Sequence, residues 1–395
     1  DPRIAERRAL VEHARALLQE AQGESALRVE SNAFMAVVSG LDGGFFKSDG
    51  VTPRSDRYSF HGLSPWFYLQ MTVIKPLYTF GKIEHYSAAA KGNIAVKQGD
   101  VALQRGDTMV QVAQAYYGYL AARDSRYLLE DARGRVQGAI DLVRKWLNEG
   151  TGNAKQSDLY ALQAGLAEVD RYLAQARSLE AVALDGLKVL TGIGLDGDLQ
   201  IADESLTPLP LPKETLAQLQ ADALRDRPEM AQLTAGLKAR RELVAAKKAE
   251  SLPDVYAAVA GFVSESPNRA RLNNPYIADP FNDMGATPLV GIRWQWETGV
   301  QPAHVKQAQA DLDALVDKSD YARRGIPFQV AEQYHTVKGD YEAVQSLRTG
   351  SRAARRWMIS SYADFQAGIE KAYRVMDAFK GYVLAQTDYL TVLND

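Results

Sequence analysis

The stretch LYTFG at residues 77–81 returns as QWETG at residues 295–299, and a long helical pattern follows both copies. Outward from this pair, PRIA at 2–5 returns as PEMA at 228–231, and VAQAYY at 112–117 returns as VAEQYH at 330–335. The offset drifts only from 226 (228 minus 2) to 218 (299 minus 81), so the order of elements is preserved. Solenoid repeats span roughly 20 to 50 residues. The chain is therefore predicted to be one half-molecule duplicated.

Each predicted half contains a helix, two strands, a very long helix and a return helix. The first repeat, 1–191, has helix 2–25, strands 27–40 and 66–79, long helix 82–148 and return helix 157–190. The second repeat, 228–395, has helix 228–251, strands 254–263 and 288–297, long helix 302–362 and return helix 371–392. Residues 192–227 are a non-repeated connector with some short structure of its own.

Local signals support these elements. Proline at the first helical position suits both helix starts, Pro2 and Pro228. Residues 82–147 contain no proline, which predicts a helix of roughly 66 residues and about 100 Å. Gly325 and Pro327 predict a kink or local irregularity in its counterpart. Helices of this length do not fit inside a globule and require a coiled-coil-like bundle or barrel.

The composition excludes several classes of protein. The chain has 395 residues, 46% of them hydrophobic, a formal net charge of -3 and no cysteine. A nucleic-acid partner is not expected, because such proteins carry a basic domain or stripe. Thiolate metal sites and disulfides are excluded. No apolar run approaches the roughly 18 residues of a transmembrane helix. The start at Asp1, without methionine, predicts a processed or trimmed terminus, at which an export signal or lipid anchor would no longer be visible.

Three of the predicted strands have one apolar and one polar face, which suits either a half-buried sheet or a membrane barrel. Residues 255–263 are small and apolar on both faces and predict a strand less clearly. Val290 and Ile292 alternate with Gly291 and Arg293. Three of the five tryptophans and many other aromatic residues lie around the strands, as in the interfacial girdles of membrane barrels. Four strands cannot close a barrel, since known membrane barrels start at about eight. The membrane interpretation therefore requires an oligomer that shares one barrel.

Several motifs, in order and at matching spacing, resemble the TolC-type family of outer-membrane efflux channels over almost the whole chain. They are RPEM at 227–230, SLP at 251–253, PLYTFGK at 76–82, AYY at 115–117, Gly152 and Asp158 separated by five residues of which the last is Ser157, and VMDA at 375–378. The resemblance implies a mainly α fold with a membrane β-barrel part: a homotrimer with a 12-stranded barrel joined to a long α-helical barrel in the periplasm. It also implies a periplasmic adaptor and an inner-membrane pump as partners, with outer-membrane lipid around the barrel.

Two turns between long and return helices are expected to form the tip of the helical barrel and its gate. The resemblance assigns the residues Gly152, Ser157, Asp158, Gly368, Glu370, Arg374 and Asp377 to this tip. Asp377 falls where the family has an acidic gate residue, whereas Arg374 stands where a family member has an acid and Glu370 where it has a base. We expect Asp158, Arg374 and Asp377 to contribute closed-state contacts. Turn formation explains the glycines equally well, and helix capping explains Asp158 and Ser157.

Alternation predicts one further set of residues on the strands, and the enrichment in aromatic residues predicts a second. Side chains expected to point into the barrel lumen are those of Arg28, Glu30, Arg293, Gln295 and Glu297. The wet face of a soluble sheet would carry the same residue types. Aromatic side chains expected at the membrane interface are those of Trp66, Phe67, Tyr78, Trp294 and Trp296.

No catalytic, cofactor or metal site is expected. The run Gly192–Gly197 satisfies the GxGxxG dinucleotide pattern, but it follows a predicted helix where a strand is required. The five histidines are scattered, and the acidic residues between 196 and 204 suit a solvated loop. The prediction is thus an outer-membrane exit duct that passively conducts substrates from an adaptor and pump. The alternative is a periplasmic coiled-coil scaffold or adaptor without a channel, and an enzyme ranks third.

Overall fold

The computed structural model of the protein describes residues 1–42, 47, 49, 51–53, 59–151, 154–271, 276 and 278–395. Within them the chain forms seven helices and four strands. In chain order these are α1 (Pro2–Gly23), β1 (Arg28–Asp42), β2 (Ser59–Tyr78), α2 (Lys82–Glu149), α3 (Gln156–Thr191), α4 (Leu216–Asp226), α5 (Pro228–Ala249), β3 (Asp254–Glu265), β4 (Asp283–Arg293), α6 (Val300–Gln366) and α7 (Ala372–Asn394). The mainly α character of the predicted fold is confirmed, and its strands form a small sheet.

The four strands form one antiparallel sheet in the order β1-β2-β3-β4. Its central pairing, β2 with β3, joins strands from the two predicted repeats. β2 begins at Ser59 rather than at the predicted residue 66, so the strand runs through Pro65. Pro65 pairs with Val37 of β1 but lies beyond the last β2–β3 pair, Phe67 with Glu265. β3 therefore has no carbonyl opposite Pro65 that would need the missing N–H as a donor.

β4 is displaced towards the N-terminus relative to the prediction. It spans Asp283–Arg293 instead of 288–297, and it passes through Pro288. Edge strands tolerate proline, because one side of their backbone has no ladder to complete. The strand ends at Arg293 because its partner β3 begins at Asp254, with which Arg293 pairs. Residues 294–297 consequently have no strand beside them in this sheet and are irregular.

The helices follow the predicted bounds to within a few residues. α6 continues as helix through Pro327, whose carbonyl also accepts a hydrogen bond from Gln220 Nε2 at 3.0 Å. The connector contains α4, which starts with a capping box between Thr215 and Gln218. None of the helices in the described ranges has the combination of length and apolar character that crossing a membrane requires.

The chain divides into two compact units that differ from the predicted repeats. One unit comprises Asp1–Ala9, Gln98–Ala231 and Ser319–Asp395, and the other comprises Leu10–Lys97 and Gln232–Lys318. Each unit takes segments from both halves of the duplicated sequence. The division into repeats at 1–191, 192–227 and 228–395 therefore describes the sequence, and as a domain division it stays a prediction.

A buried cluster joins four helices in the first unit. Its members include Val136, Ala139, Ile140 and Val143 of α2, Leu162 of α3, Met358 and Phe365 of α6, and Val375, Ala378 and Phe379 of α7. The small residues allow close approach. At Gly165 of α3, a Cβ would come within 2.1 Å of the Met376 side chain of α7. In the second unit, a Cβ on Gly92 of α2 would lie 2.8 Å from the Ala239 Cβ of α5, so this helix pair also packs closely.

Candidate functional site

The register of the sheet separates its side chains into two faces. Between the register shifts at Ser39/Gly40 and Pro76/Tyr78, residues of odd number in β1, β2 and β3 share a face with residues of even number in β4, because these positions are paired across the ladder. We call this the apolar face. It carries Val29, Met35, Val37, Phe67, Leu69, Met71, Val73, Val255, Val259, Val263, Met284, Val290 and Ile292. Many of these side chains are exposed, and Met284 and Val290 are 74% and 72% exposed.

The opposite face, here called the polar face, carries charges at its helix-proximal end. Arg28 and Glu30 of β1 lie there and form an ion pair, with Nε and Oε1 3.1 Å apart. Arg293 of β4 lies there too, with its guanidinium 5.4 Å from the ring centre of Tyr256. Three of the five residues expected in a lumen therefore share one face. Gln295 and Glu297 lie beyond the end of β4, so the alternation that suggested their direction does not extend to them.

The predicted interface aromatic residues do not form one set. Phe67 is on the apolar face, whereas Trp66 is on the polar face, paired with Ala36. Trp66 and Phe67 therefore point to opposite sides of the sheet, because neighbours in a strand alternate in direction, and their shared position at a membrane interface stays a prediction. Trp294 and Trp296 follow β4 and stack on each other, with ring centres 5.8 Å apart. Tyr78 ends β2 and its ring lies 4.6 Å from that of Phe80.

An aromatic cluster covers the part of the polar face that is distant from the helices. Phe34 lies 5.0 Å from both Trp66 and Tyr68, measured between ring centres. Tyr68 stacks on Phe262 at 6.4 Å, and Trp66 meets Phe281 edge-on at 5.1 Å. Sequence reasoning missed this cluster. The signal was present, since Phe34 has the same parity as Arg28 and Glu30, but the pairing of β2 and β3 was needed to extend it across the sheet.

A polar network connects the foot of the sheet to the adjoining helices. Lys82 Nζ at the start of α2 donates to both carboxylate oxygens of Asp254, at 2.6 and 2.5 Å. Tyr86 donates to Glu250, to which Lys247 Nζ also donates at 2.8 Å. Burial, reinforced by the bond to Glu250, raises the pKa of Tyr86. Burial opposes ionisation of Glu250, but the hydrogen bonds from Lys247 and Tyr86 outweigh it and lower the pKa of this carboxyl.

This network borders a cleft of about 670 Å³ whose wall includes Arg28, Glu30, Lys82, Asp254 and Arg293. Charges of both signs alternate on its wall, and most of them are already paired with each other. Such a surface stays wetted and offers no concentrated charge for a single ligand. Among the described residues, no group of three or more His, Asp or Glu is arranged to bind a metal ion.

The first predicted tip turn is stabilised by local hydrogen bonds. Gly150 has φ of +62°, the left-handed conformation that glycine tolerates. Gly152 lies outside the described residues. Ser157 and Asp158 are in the first turn of α3, and Asp158 Oδ2 accepts the backbone N–H of Lys155 at 2.8 Å. Asp158 therefore serves as a helix cap within the single chain.

The second turn has a similar backbone and a different set of charges. Gly368 follows α6 with φ of +73°. Arg374 Nε lies 3.9 Å from Glu370 Oε1, and Asp377 is on the next turn of α7. The side chain of Tyr373, followed by the charge of Glu370, raises the pKa of Arg374. Water screens a pair this exposed, so it leaves Arg374 free to exchange partners.

The run from Gly192 to Gly197 terminates a helix. Gly192 has φ of +80° and its N–H points to the carbonyls of Lys188 and Val189 at the end of α3. A dinucleotide loop instead follows a strand and begins a helix. In the connector beyond it, Asp203 accepts a hydrogen bond from Tyr116 of α2 and Leu206 N–H donates to Asp124 at 2.9 Å. This acidic segment is therefore attached to α2 rather than wholly solvated.

Comparison with solved structures places the fold in a defined class. The outer-membrane channel OprN superposes with a TM-score of 0.75 at 18% identity, over 99% of this chain and 83% of OprN. The outer membrane protein VceC of Vibrio cholerae gives 0.75 at 15% identity, over 100% and 90%. The MtrE outer membrane channel of Neisseria gonorrhoeae gives 0.75 at 16% identity, over 99% and 82%. Neither a protein-family model nor a curated protein sequence matches the chain.

The protein thus has the fold of the TolC-type outer-membrane channels. The family resemblance indicated by the sequence motifs is confirmed at the level of the fold.

Proposed function

We propose that this chain is the outer-membrane exit duct of a tripartite efflux or type I secretion system, conducting substrates passively to the exterior. The observation that carries the proposal is the sheet with one exposed apolar face, one charged face and two edge strands, β1 and β4. An apolar surface of this extent marks contact with a membrane or a protein. The charged face suits a water-filled passage. The likeness in fold to outer-membrane channels supports the same conclusion.

The open edges of the sheet support a homotrimer. In lipid, each unpaired backbone group on an edge strand costs several kcal/mol. Three copies of a four-stranded sheet would provide 12 strands, in which β1 of each chain pairs with β4 of the next. Closure in this manner removes all edges and turns every apolar face towards the lipid. The long helices would then continue the duct as an α-helical barrel in the periplasm, where a periplasmic adaptor and an inner-membrane pump would bind its tip.

The tip residues are proposed to hold the duct closed between neighbouring hairpins. Arg374 is exposed and only loosely paired with Glu370, so it is available to an acidic group of the next hairpin, such as Asp377. Asp158 needs a careful test because its carboxylate also caps α3. Asp158→Asn keeps an oxygen acceptor for the cap and removes the charge. Both this variant and Arg374→Ala should raise single-channel conductance, and unchanged conductance in both would exclude these residues from the closed state.

The decisive experiment is the native mass of the protein after detergent extraction from a bacterial membrane fraction, followed by planar-bilayer recording. We expect a detergent-dependent trimer that conducts small ions. A monomer or dimer that stays soluble without detergent would contradict the channel and favour the coiled-coil scaffold.

A further inference from the structure

A segment of α6 near its C-terminal end carries positive charge that no acidic residue of the segment balances. Residues 343–363 contain four arginines and no aspartate, glutamate or lysine. Three of the arginines, Arg348, Arg352 and Arg356, recur every four residues and are exposed. Side chains four residues apart lie one above the other on a helix, so these three form a row about 12 Å long. We call this row the arginine stripe.

The arginine stripe is turned away from the buried side of α6. The buried positions of this part of the helix recur every seven residues and are Val344, Ser351, Met358 and Phe365. At about 100° per residue, Arg352 is rotated by about 100° from Ser351, and Arg356 is rotated by about 160° from Met358. These guanidinium groups therefore project away from the cluster that α6 forms with α2, α3 and α7.

The carboxylates of the described residues leave the arginine stripe unpaired. In that part of the chain, the one ion pair that involves α6 joins Asp311 to α5, more than thirty residues before the stripe. Asp131 of α2 lies near Tyr382 of α7, as the fourth arginine of the segment, Arg355, also does. The Asp131 carboxylate is already engaged, since it lies 2.9 Å from Nε of Arg135. The stripe thus carries three uncompensated charges in each chain.

The arginine stripe lies a short distance from the second tip turn. α6 ends at Gln366, which is about 15 Å along the helix from Arg356 and about 27 Å from Arg348 at 1.5 Å per residue. Over this length α6 packs closely against α7. A Cβ on Gly381 would come within 2.6 Å of the Trp357 ring. The two helices therefore present one continuous outward surface from the turn to the stripe.

The proposed gate residues indicate which side of this helix pair faces the lumen. Arg374 and Asp377 of α7 are exposed, whereas the neighbouring Val375, Met376 and Ala378 are buried in the four-helix cluster. Residues that close a duct meet around its axis. In a duct closed by Arg374 and Asp377, the side of α6 and α7 turned away from the cluster faces the lumen, and the arginine stripe lies on that side.

We infer that the arginine stripe gives the duct a preference for anionic solutes. The inference rests on the proposed function, because the gate orients the stripe towards the lumen. A trimer would place nine guanidinium groups around the water column, three from each of three chains. Rings of arginine or lysine select anions in pores, because their potential raises the local concentration of ions of opposite charge. The favoured substrates are therefore solutes that carry carboxylate, sulfonate or phosphate groups.

The charge preference is measured as the reversal potential of the reconstituted trimer across a gradient of KCl. At about 0.1 M salt, where charges act over about 10 Å, the wild type should pass Cl⁻ roughly threefold more readily than K⁺. Arg348→Gln, Arg352→Gln and Arg356→Gln in combination should lower this ratio by about twofold or more. The matched control changes the same three residues to lysine, which keeps their charge and should keep the ratio.

The absence of native cysteine allows the charge to be returned at one position. Arg352→Cys is treated with methanethiosulfonate reagents, which form a disulfide with the thiol and release a sulfinate. A reagent that carries trimethylammonium should raise the preference for Cl⁻, and a reagent that carries sulfonate should lower it. Opposite shifts require that residue 352 faces the conducting path. Arg352→Gln has no thiol and should respond to neither reagent.

The outcomes separate this inference from the duct itself. A wild-type protein that forms no conducting trimer would overturn the duct. A conducting trimer that shows no preference for Cl⁻, or whose ratio is the same in wild type and the glutamine variant, would overturn the anion preference alone. The same holds if Arg352→Cys responds to neither reagent. Equal loss of the preference in the lysine and glutamine variants would also overturn it, because charge would then not be the cause.

Discussion

Replacing Phe365 by alanine should loosen the turn between α6 and α7 without unfolding the rest of the chain. Phe365 is 2% exposed, lies in the last turn of α6 and belongs to the four-helix cluster below the turns. Truncation of a buried phenylalanine costs about 3–5 kcal/mol. Its ring also meets Trp146 of α2 edge-on at 5.2 Å, a geometry that contributes about 0.5–1.5 kcal/mol beyond its buried area.

The effect should be local and measurable by hydrogen exchange. A loss of about 3–4 kcal/mol in the free energy of opening corresponds to a rate increase of roughly a hundredfold to a thousandfold. Peptides covering residues 358–380 should show this increase in the detergent-solubilised protein, and peptides from the sheet should not.

Phe328→Ala is the control, because it makes the same chemical change on the same helix at a side chain that is 68% exposed. It should leave exchange at the tip within about 0.5 kcal/mol of wild type. Equal protection of residues 358–380 in wild type and Phe365→Ala would refute the reasoning that this buried ring holds the hairpins together.

Three further predictions concern the connections between elements. The folded-state pKa of Glu250 lies below its ordinary value of 4.5. The ionised carboxylate therefore stabilises the fold above that pH, and this stabilisation is lost as the pH falls through the lower, folded-state pKa. Thermal unfolding in detergent should show Glu250→Gln destabilised at pH 7 and closer to wild type at pH 3. Gly192→Ala should lower stability by about 1–2 kcal/mol, because Gly192 has a left-handed φ of +80°. Gly186→Ala, in the interior of α3, should raise stability by about 0.5–1 kcal/mol. A change in stability of the same sign in both variants would contradict the left-handed cap. Asp254→Asn should cost about 1–2 kcal/mol after allowance for partial exposure of its pair with Lys82, and a double-mutant cycle that finds no coupling would show that the pair is merely adjacent.

Local periodicity was sufficient to predict the bounds of the helices, but it was less successful for the bounds of the strands. The long helices were predictable because α2 lacks proline and carries helical patterning throughout. β4 was displaced because its length depends on where β3 begins, at Asp254, and not on its own residues. The predicted strand start at residue 66 left Pro65 outside the strand, yet Pro65 is tolerated inside β2 because β3 does not reach it. Each error came from a partner strand distant in sequence.

The candidate site was likewise only partly predictable from the sequence. Arg28 and Glu30 share a face by alternation alone, which a reader of the sequence can count. Trp66 was expected at a membrane interface because aromatic residues gather around the strands, whereas its pairing with Ala36 places it on the polar face, opposite Phe67. Asp158 was open to two explanations from sequence, and its bond to Lys155 N–H favours the cap within one chain.

By itself, the sequence determined the duplication, the order of elements, the long helices and the two-faced character of β1, because these depend on neighbours within a few residues. Tertiary structure alone decided which faces of the four strands coincide, and it brought Ser266 and Arg269 onto β2 and β1 across about 200 residues of chain. Which residues of one strand share a face is a property of that strand alone. Which faces of neighbouring strands coincide is set by backbone hydrogen bonds between segments distant in sequence, and no local pattern encodes those bonds.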